Sequence, residues 1–95
     1  MTNRQALRRI RALSRAGRYL LTDYCVLRMV ARDVMPEDVE ASLCGAERVW
    51  SQPNGRWRVA GPDVDGEPLV LIVEILSNVV VVTLFRGDEN EPDDE

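Results

Sequence analysis

Apolar residues recur every three or four positions in the first half of the chain and roughly every second position in the other half. The first spacing is typical of helices that bury one face, and the second is typical of strands. Residues 3–16 form the first helical segment. Its apolar stripe comprises Ala6, Leu7, Ile10 and Leu13. Gly17 is expected to end this helix, because glycine readily adopts the left-handed conformation found after helices.

A second helix is predicted after a short extended segment at residues 18–21. Thr22 or Asp23 can cap its start, because both side chains can accept a hydrogen bond from a free backbone N–H group. The pattern continues to about Arg32. The apolar face of this helix is predicted to comprise Cys25, Val26, Met29 and Val30.

A third helix is predicted to begin at Pro36, a residue suited to the first turn of a helix. Acidic residues follow it directly, and they are favourable at the positive end of the helix dipole. This helix would bury Val39 and Leu43 and end at Gly45.

Four strands are predicted beyond residue 45, joined by three turns into an antiparallel meander. Their ranges are 47–52, 56–61, 69–76 and 79–85. Asn54 and Gly55 give the strongest turn signal, since this pair favours tight hairpins. The last two strands are nearly apolar on both faces. Because the helices can cover one face, we expect a protein partner to cover part of the other.

These elements predict a single α+β domain of residues 1–86. N-terminal helices would pack on a four-stranded antiparallel sheet, or on a five-stranded sheet if residues 18–21 join it. Residues 87–95 contain six acids and no large apolar side chain, so a disordered tail is expected there. No apolar run is long enough for a membrane span or a signal peptide, which predicts a cytoplasmic protein.

The composition excludes several kinds of catalytic site. The 95-residue chain contains no His, so a histidine general base and a His-containing metal site are excluded. Cys25 and Cys44 have no companions, and a zinc site needs about four ligands. Both are interpreted as buried free thiols. Asp63 and Asp65 could bind a divalent metal, but their Gly-Pro-rich surroundings favour a tight turn. No cofactor is predicted.

Three stretches resemble a family of small uncharacterised bacterial domains grouped with the RelE/ParE-like toxin superfamily, of the MqsR type. They are "LTDYCVLRMVARDVMPEDVEASL", "QPNGRWRVAGPDVDGEPLVLIVEI" and "VVVVTLF". The resemblance covers about residues 5–86. It implies a RelE-like arrangement, pairing with an antitoxin, and cleavage of mRNA. The family pattern has His at the position of Tyr24 and Arg at the positions of Arg28 and Arg32, so this chain departs from it at Tyr24.

Arg28 and Arg32 lie four residues apart, so they share one face of the predicted helix. Together they could clamp a phosphate through their forked donors. Alternatively, a nearby carboxylate such as Asp38, or the carboxyl end of the helix, could hold them in structural roles. Tyr24 lies one turn earlier. Its phenol could donate a proton or stack on a base, or it could simply pack against the core.

Arg56 and Arg58 alternate with apolar residues, so both point to one side of the sheet. The hairpin register places Arg56 near Glu74, and an ion pair between them is favoured because a lone buried carboxylate is costly. The alternative is an RNA-binding surface that also includes Arg86. Trp50 and Trp57 are expected to pack on the sheet or to lie at a partner interface.

The charges are concentrated at the two ends of the chain. Residues 1–18 carry six Arg and no acid. Four of these form a stripe that could contact RNA phosphates or remain solvated, namely Arg4, Arg8, Arg11 and Arg15. The six acids of residues 87–95 could compete with RNA for this basic surface.

Two functions are therefore predicted. The first is the toxin-like component of a bacterial toxin–antitoxin pair that binds or cleaves RNA, alone or at the ribosome. A cleaving form would be a metal-independent endoribonuclease, with attack by the 2′-hydroxyl and charge stabilisation by arginines. Its candidate catalytic residues are Tyr24, Arg28, Arg32, Arg56 and Arg86, with Arg58 and the N-terminal stripe as RNA contacts. The second is a non-catalytic domain that binds a protein, or forms a homodimer, through its apolar sheet.

Overall fold

A computed structural model describes residues 1–87 and confirms the predicted α+β class. In this range there are three helices and five strands. The helices are α1 (Asn3–Arg15), α2 (Asp23–Arg32) and α3 (Pro36–Cys44). The strands are β1 (Tyr19–Leu21), β2 (Arg48–Ser51), β3 (Trp57–Pro62), β4 (Pro68–Ile75) and β5 (Val79–Arg86). A short 3-10 turn, Pro53–Gly55, occupies the predicted β2–β3 turn.

The five strands form one sheet in the order β1-β5-β4-β3-β2. Strands β2 to β5 form the predicted antiparallel meander. The extended segment before α2 becomes β1 and pairs in parallel with β5, with Tyr19 opposite Val79 and Leu21 opposite Val81. The sheet is therefore five-stranded, with one parallel pair at its edge.

A β-bulge in β5 marks the point where α2 begins. Ile72 pairs with Thr83 while Val73 pairs with Val81, so Val82 is an extra residue on β5. The Thr22 hydroxyl donates to the carbonyl oxygen of Val82 at 2.8 Å. The same hydroxyl oxygen accepts from the N–H of Cys25 at 3.1 Å. Thr22 thus caps α2 and also fixes its start to the sheet.

The end of α1 follows the sequence prediction. Gly17 has a φ of +76°, the left-handed conformation expected after a helix. The N–H of Arg18 bonds to the carbonyl of Leu13 at 2.8 Å, and the N–H of Gly17 bonds to that of Ser14 at 3.0 Å. These two bonds satisfy carbonyls that the helix end would otherwise leave without a partner.

The two sides of the sheet have different coverings. On the helix side, Leu69, Leu71 and Val73 of β4 pack with buried residues of all three helices. On the opposite side, called the outer side here, Val70, Ile72 and Phe85 form a separate buried cluster. Helix α3 lies close to the sheet at Gly61 of β3. A Cβ there would lie 2.4 Å from the carbonyl oxygen of Ser42, so this contact requires glycine.

One prediction about apolar surface is wrong, namely the apolar face of α2. On the outer side of β4 and β5, Ile72 and Phe85 are fully buried within the chain, while Val80 is partly buried. Helix α2 instead exposes apolar residues, because it buries Cys25 and Met29 but not Val26 and Val30. Val30 is 78% exposed. The exposed apolar residues on and after α2 are Val26, Leu27, Val30 and Met35, which we call the α2 apolar surface.

The described residues extend one residue beyond the predicted end of the domain. Gly87 donates its N–H to the carbonyl of Pro68 at 3.3 Å and so belongs to the folded part. The rest of the predicted disordered tail, residues 88–95, lies outside the described residues. None of the helices in residues 1–87 has both the length and the apolar character needed to cross a bilayer.

Candidate nucleic-acid interface

Arg56 and Glu74 form the ion pair that the hairpin register predicts. Nε of Arg56 lies 3.2 Å from Oε2 of Glu74, and both side chains are partly buried on the outer side of the sheet. The carboxylate neutralises a guanidinium group that was a candidate for charge stabilisation. The structural interpretation of Arg56 is therefore confirmed.

Arg86 also forms an ion pair, with a residue that the sequence did not indicate. Its Nη1 lies 2.6 Å from Oδ2 of the buried Asp63. In β5, Arg86 is opposite Leu69 on the helix side, whereas Phe85 is opposite Val70 on the outer side. Arg86 therefore does not join Arg56 and Arg58 on one surface, as the RNA-binding interpretation required.

The Asp63 carboxylate organises the loop between β3 and β4. Its Oδ1 accepts from the N–H groups of Asp65 and Glu67 at 2.9 and 2.8 Å. The hydrogen bond from Arg86 lowers the pKa of Asp63, and these backbone N–H groups lower it further, while burial opposes the shift. The turn interpretation of Asp63 and Asp65 is confirmed. Within residues 1–87, the acidic and Cys side chains form no group suited to a metal ion.

Arg58 belongs to a row of alternating guanidinium and aromatic groups on the outer side. Its guanidinium carbon lies 5.7 Å from the centre of the Trp50 ring and 5.3 Å from that of Phe85. The guanidinium carbon of Arg48 lies 4.6 Å from the Trp50 ring centre. We call these four residues the arginine–aromatic row. They come from β2, β3 and β5, and cation–π attraction holds them together.

The sequence prediction missed Arg48 as part of this row, and it assigned Trp50 to packing on the sheet or to a partner interface rather than to RNA contact. A signal for the row was present. Arg48 and Trp50 are two residues apart on β2, so they face the same side. The hairpin then places Arg58 directly opposite Trp50. Phe85 could not be added in this way, because its position depends on the bulge in β5.

Tyr24, Arg28 and Arg32 follow one another at four-residue spacing along α2, which packs against β5. Tyr24 and Arg28 are partly buried and Arg32 is exposed. In the described part of the chain, the buried Nε atom of Arg28 has no hydrogen-bond partner. Asp38, one proposed partner for these arginines, instead accepts from the backbone N–H groups of Met35 and Val64.

The arginine stripe of α1 lies on the helix side of the sheet, away from the arginine–aromatic row. Nε of Arg11 donates to the carbonyl of Ala46 at 2.8 Å, and Nη2 of Arg15 donates to that of Cys44 at 3.0 Å. These two arginines satisfy carbonyls at the carboxyl end of α3, where a positive charge is favourable. Arg4 and Arg8 are exposed beside them.

Neither cysteine has the character of a nucleophile. Cys25 is buried, and burial raises the pKa of its thiol to about 11. Cys44 is partly rather than fully buried, so the prediction holds fully for Cys25 alone. Burial and the nearby Glu40 raise the pKa of Cys44, although Arg15 opposes the shift. Both thiols are free, as predicted.

The candidate residues thus lie on three surfaces rather than one. The outer side carries Arg48, Arg56 and Arg58, the α2 flank carries Tyr24, Arg28 and Arg32, and the helix side carries the α1 stripe. Two of the five candidate catalytic residues, Arg56 and Arg86, are engaged by carboxylates. Comparison with protein-family models, curated proteins and solved structures gave no match.

Proposed function

We propose that this chain is the toxin-like component of a cytoplasmic bacterial toxin–antitoxin pair, that it resembles RelE-type toxins, and that it binds RNA. The observation that carries the RNA part is the arginine–aromatic row, which places the guanidinium groups of Arg48 and Arg58 around Trp50 on the side of the sheet away from the helices. Guanidinium groups bind phosphates, and both guanidinium planes and aromatic rings stack on bases.

We propose that the chain binds RNA and does not cleave it. Arg56 and Arg86 would have to stabilise the charge that develops on the phosphate, yet each is within ion-pair distance of a carboxylate. The chain has no His to move protons at neutral pH. We also assign contacts to the RNA backbone to Tyr24, Arg28 and Arg32, on the flank of α2 described above.

The RNA part is tested with the full chain and a labelled single-stranded RNA, at increasing salt. Binding should weaken steeply with salt, because each phosphate contact releases a counterion. The RNA should stay intact in the presence of a chelator, whereas metal-independent cleavage would support the ribonuclease prediction instead. If the wild-type chain does not bind RNA at low salt, the proposal fails.

The toxin part is tested by inducing the chain in bacteria. Growth should stop, and Arg28→Ala should relieve the arrest because it removes a phosphate contact. Arg9→Ala is a matched control, since Arg9 is an exposed arginine of α1 outside the proposed site. Harmless expression of the wild-type chain would contradict the toxin proposal.

A second candidate function is a non-catalytic protein-interaction domain. The α2 apolar surface supports it, since four large apolar side chains from Val26 to Met35 are between 44% and 78% exposed. Exposed apolar patches of this kind are typical of protein interfaces. The α2 apolar surface differs in position from the predicted interface, which was placed on the sheet. A concentration-dependent homodimer that Val30→Ser dissociates, together with no RNA binding, would favour this function over the first.

A further inference from the structure

The arginine–aromatic row begins at the edge of the sheet, on β2. Arg48 is exposed and Trp50 is partly exposed, while Phe85 at the other end is fully buried. The row therefore runs from an accessible edge to a buried interior. A ligand would reach it through Arg48 and Trp50.

The residue opposite Arg48 on the neighbouring strand is Ala60. Its side chain is too small to cover the guanidinium group or the neighbouring Trp50 ring. Arg58, opposite Trp50, is held between two ring centres at 5.7 and 5.3 Å. The contact with a buried Phe85 fixes one end of Arg58, and this reduces the entropy that ordering its side chain for a ligand would cost.

The alternation of guanidinium and aromatic groups in this row suits a ligand that is itself flat. Ring-to-guanidinium distances of 4.6 to 5.7 Å show that neighbouring members are already in cation–π contact. A nucleobase can extend the row by stacking on the guanidinium plane of Arg48, or it can displace Arg48 and stack on the Trp50 ring. In either case its phosphate can pair with Arg48. An isolated phosphate would interact only with the charge of the guanidinium groups and not with the Trp50 ring.

We propose that Arg48, Trp50 and Arg58 form a stacking site for unpaired bases, so that the ligand of the outer side is single-stranded rather than double-stranded RNA. This inference rests on the proposed RNA-binding function and names its substrate class. Duplex RNA holds its bases within the helix and offers side chains mainly its backbone and 2′-hydroxyl groups. It therefore cannot place a base on Trp50 without losing a base pair.

The test uses tryptophan fluorescence of the full chain. Trp57 is the second of two tryptophans, and it packs against the core on the helix side. Trp57→Phe therefore leaves Trp50 as the single reporter. Titration with an unstructured RNA oligonucleotide should quench this fluorescence, and a duplex of the same length should quench it much less. A Trp50→Ala variant should bind the single strand roughly 5- to 150-fold more weakly, and Trp50→Phe should retain most of the affinity.

The outcomes separate this inference from the function on which it rests. Binding of the single strand without quenching, or equal affinity for the duplex, overturns the stacking site but leaves RNA binding intact. A wild-type chain that binds neither RNA overturns both. If Trp50→Ala destabilises the fold, Arg48→Ala provides the second variant, because Arg48 is exposed at the sheet edge. Its affinity for the single strand must fall for the inference to stand.

Discussion

Nη1 of Arg86 lies 2.6 Å from Oδ2 of Asp63, so the end of β5 is joined to the loop between β3 and β4. The carboxylate is buried and its other oxygen holds two backbone N–H groups of the same loop. A single acidic side chain therefore closes the loop and fixes the last residue of the sheet.

This pairing predicts loss of stability in acid. The pKa of Asp63 is lower in the folded chain than its ordinary value, first because of Arg86. The stabilisation is therefore fully present above the unfolded-state pKa of about 4, and it is lost as pH falls through the lower folded-state pKa. Asp63→Asn should lower the urea midpoint at neutral pH, and the difference from wild type should shrink below about pH 4. Asp65→Asn, at an exposed neighbouring position, is the control. A difference that does not change with pH would contradict this account.

Thr22→Ala should destabilise the protein by about 1–2 kcal/mol. The substitution removes the hydroxyl oxygen that caps α2 by accepting from the N–H of Cys25. It also removes the hydrogen bond to the carbonyl of Val82. Thr22→Ser keeps the hydroxyl and should retain most of the stability. Urea denaturation of the three proteins measures both effects. Equal losses for Ala and Ser would show that the hydroxyl does not hold α2 to β5.

Gly61→Ala should destabilise by about 1–3 kcal/mol or more, because its Cβ would overlap the backbone of α3. The nearest atom, the carbonyl oxygen of Ser42, would lie 2.4 Å away. Gly66→Ala serves as a control for backbone strain alone, since Gly66 has a φ of +83° and open space around it. If Gly66→Ala costs more stability than Gly61→Ala, close packing of α3 on β3 is not the dominant constraint.

Two adjacent residues of α2 should respond differently to truncation. Met29 is 5% exposed and lies in the core, so Met29→Ala should cost about 2–5 kcal/mol. Val30 is 78% exposed, so Val30→Ser should change the free energy of unfolding by less than about 0.5 kcal/mol. Denaturant titration of both variants tests this. A large loss at Val30 would mean that the α2 apolar surface is covered in solution.

Removal of residues 88–95 should increase RNA affinity at low salt. These residues carry six acids, so their deletion changes the net charge from −4 to +2 (−4 + 6 = +2). The gain should shrink as salt rises, since screening weakens competition between charges. A salt-matched titration of the full and truncated chains measures it. Unchanged affinity at every salt concentration would rule out competition by the acidic residues.

Predictions succeeded where neighbouring residues in the sequence decide the structure. Gly17 ends α1, Thr22 caps α2, and the Asn54–Gly55 turn joins β2 to β3, because each depends on backbone preferences over a few residues. The Arg56–Glu74 pair was also predictable, although its members are 18 residues apart. The two strands are joined by a short loop, and a short loop fixes which residues face each other.

Predictions failed where a contact joins elements that are distant in sequence. The apolar pattern of α2 included Val26 and Val30, but the position of the helix along β5 buries only Cys25 and Met29. The sequence did not indicate Asp63 as the partner of Arg86, because the side of the sheet that Arg86 occupies depends on the bulge in β5. The same limit concealed the parallel pairing of β1 and the contribution of Phe85 to the arginine–aromatic row.

The sequence by itself determined the order, type and approximate ends of the elements, since these follow from local conformational preference and from the period of apolar residues. Tertiary structure alone decided that Arg86 is paired with Asp63, and that Arg86 lies on the opposite side of the sheet from Arg56 and Arg58. The physical reason is that a side chain's electrostatic environment depends on groups brought close by folding, whereas periodicity records only which residues avoid water.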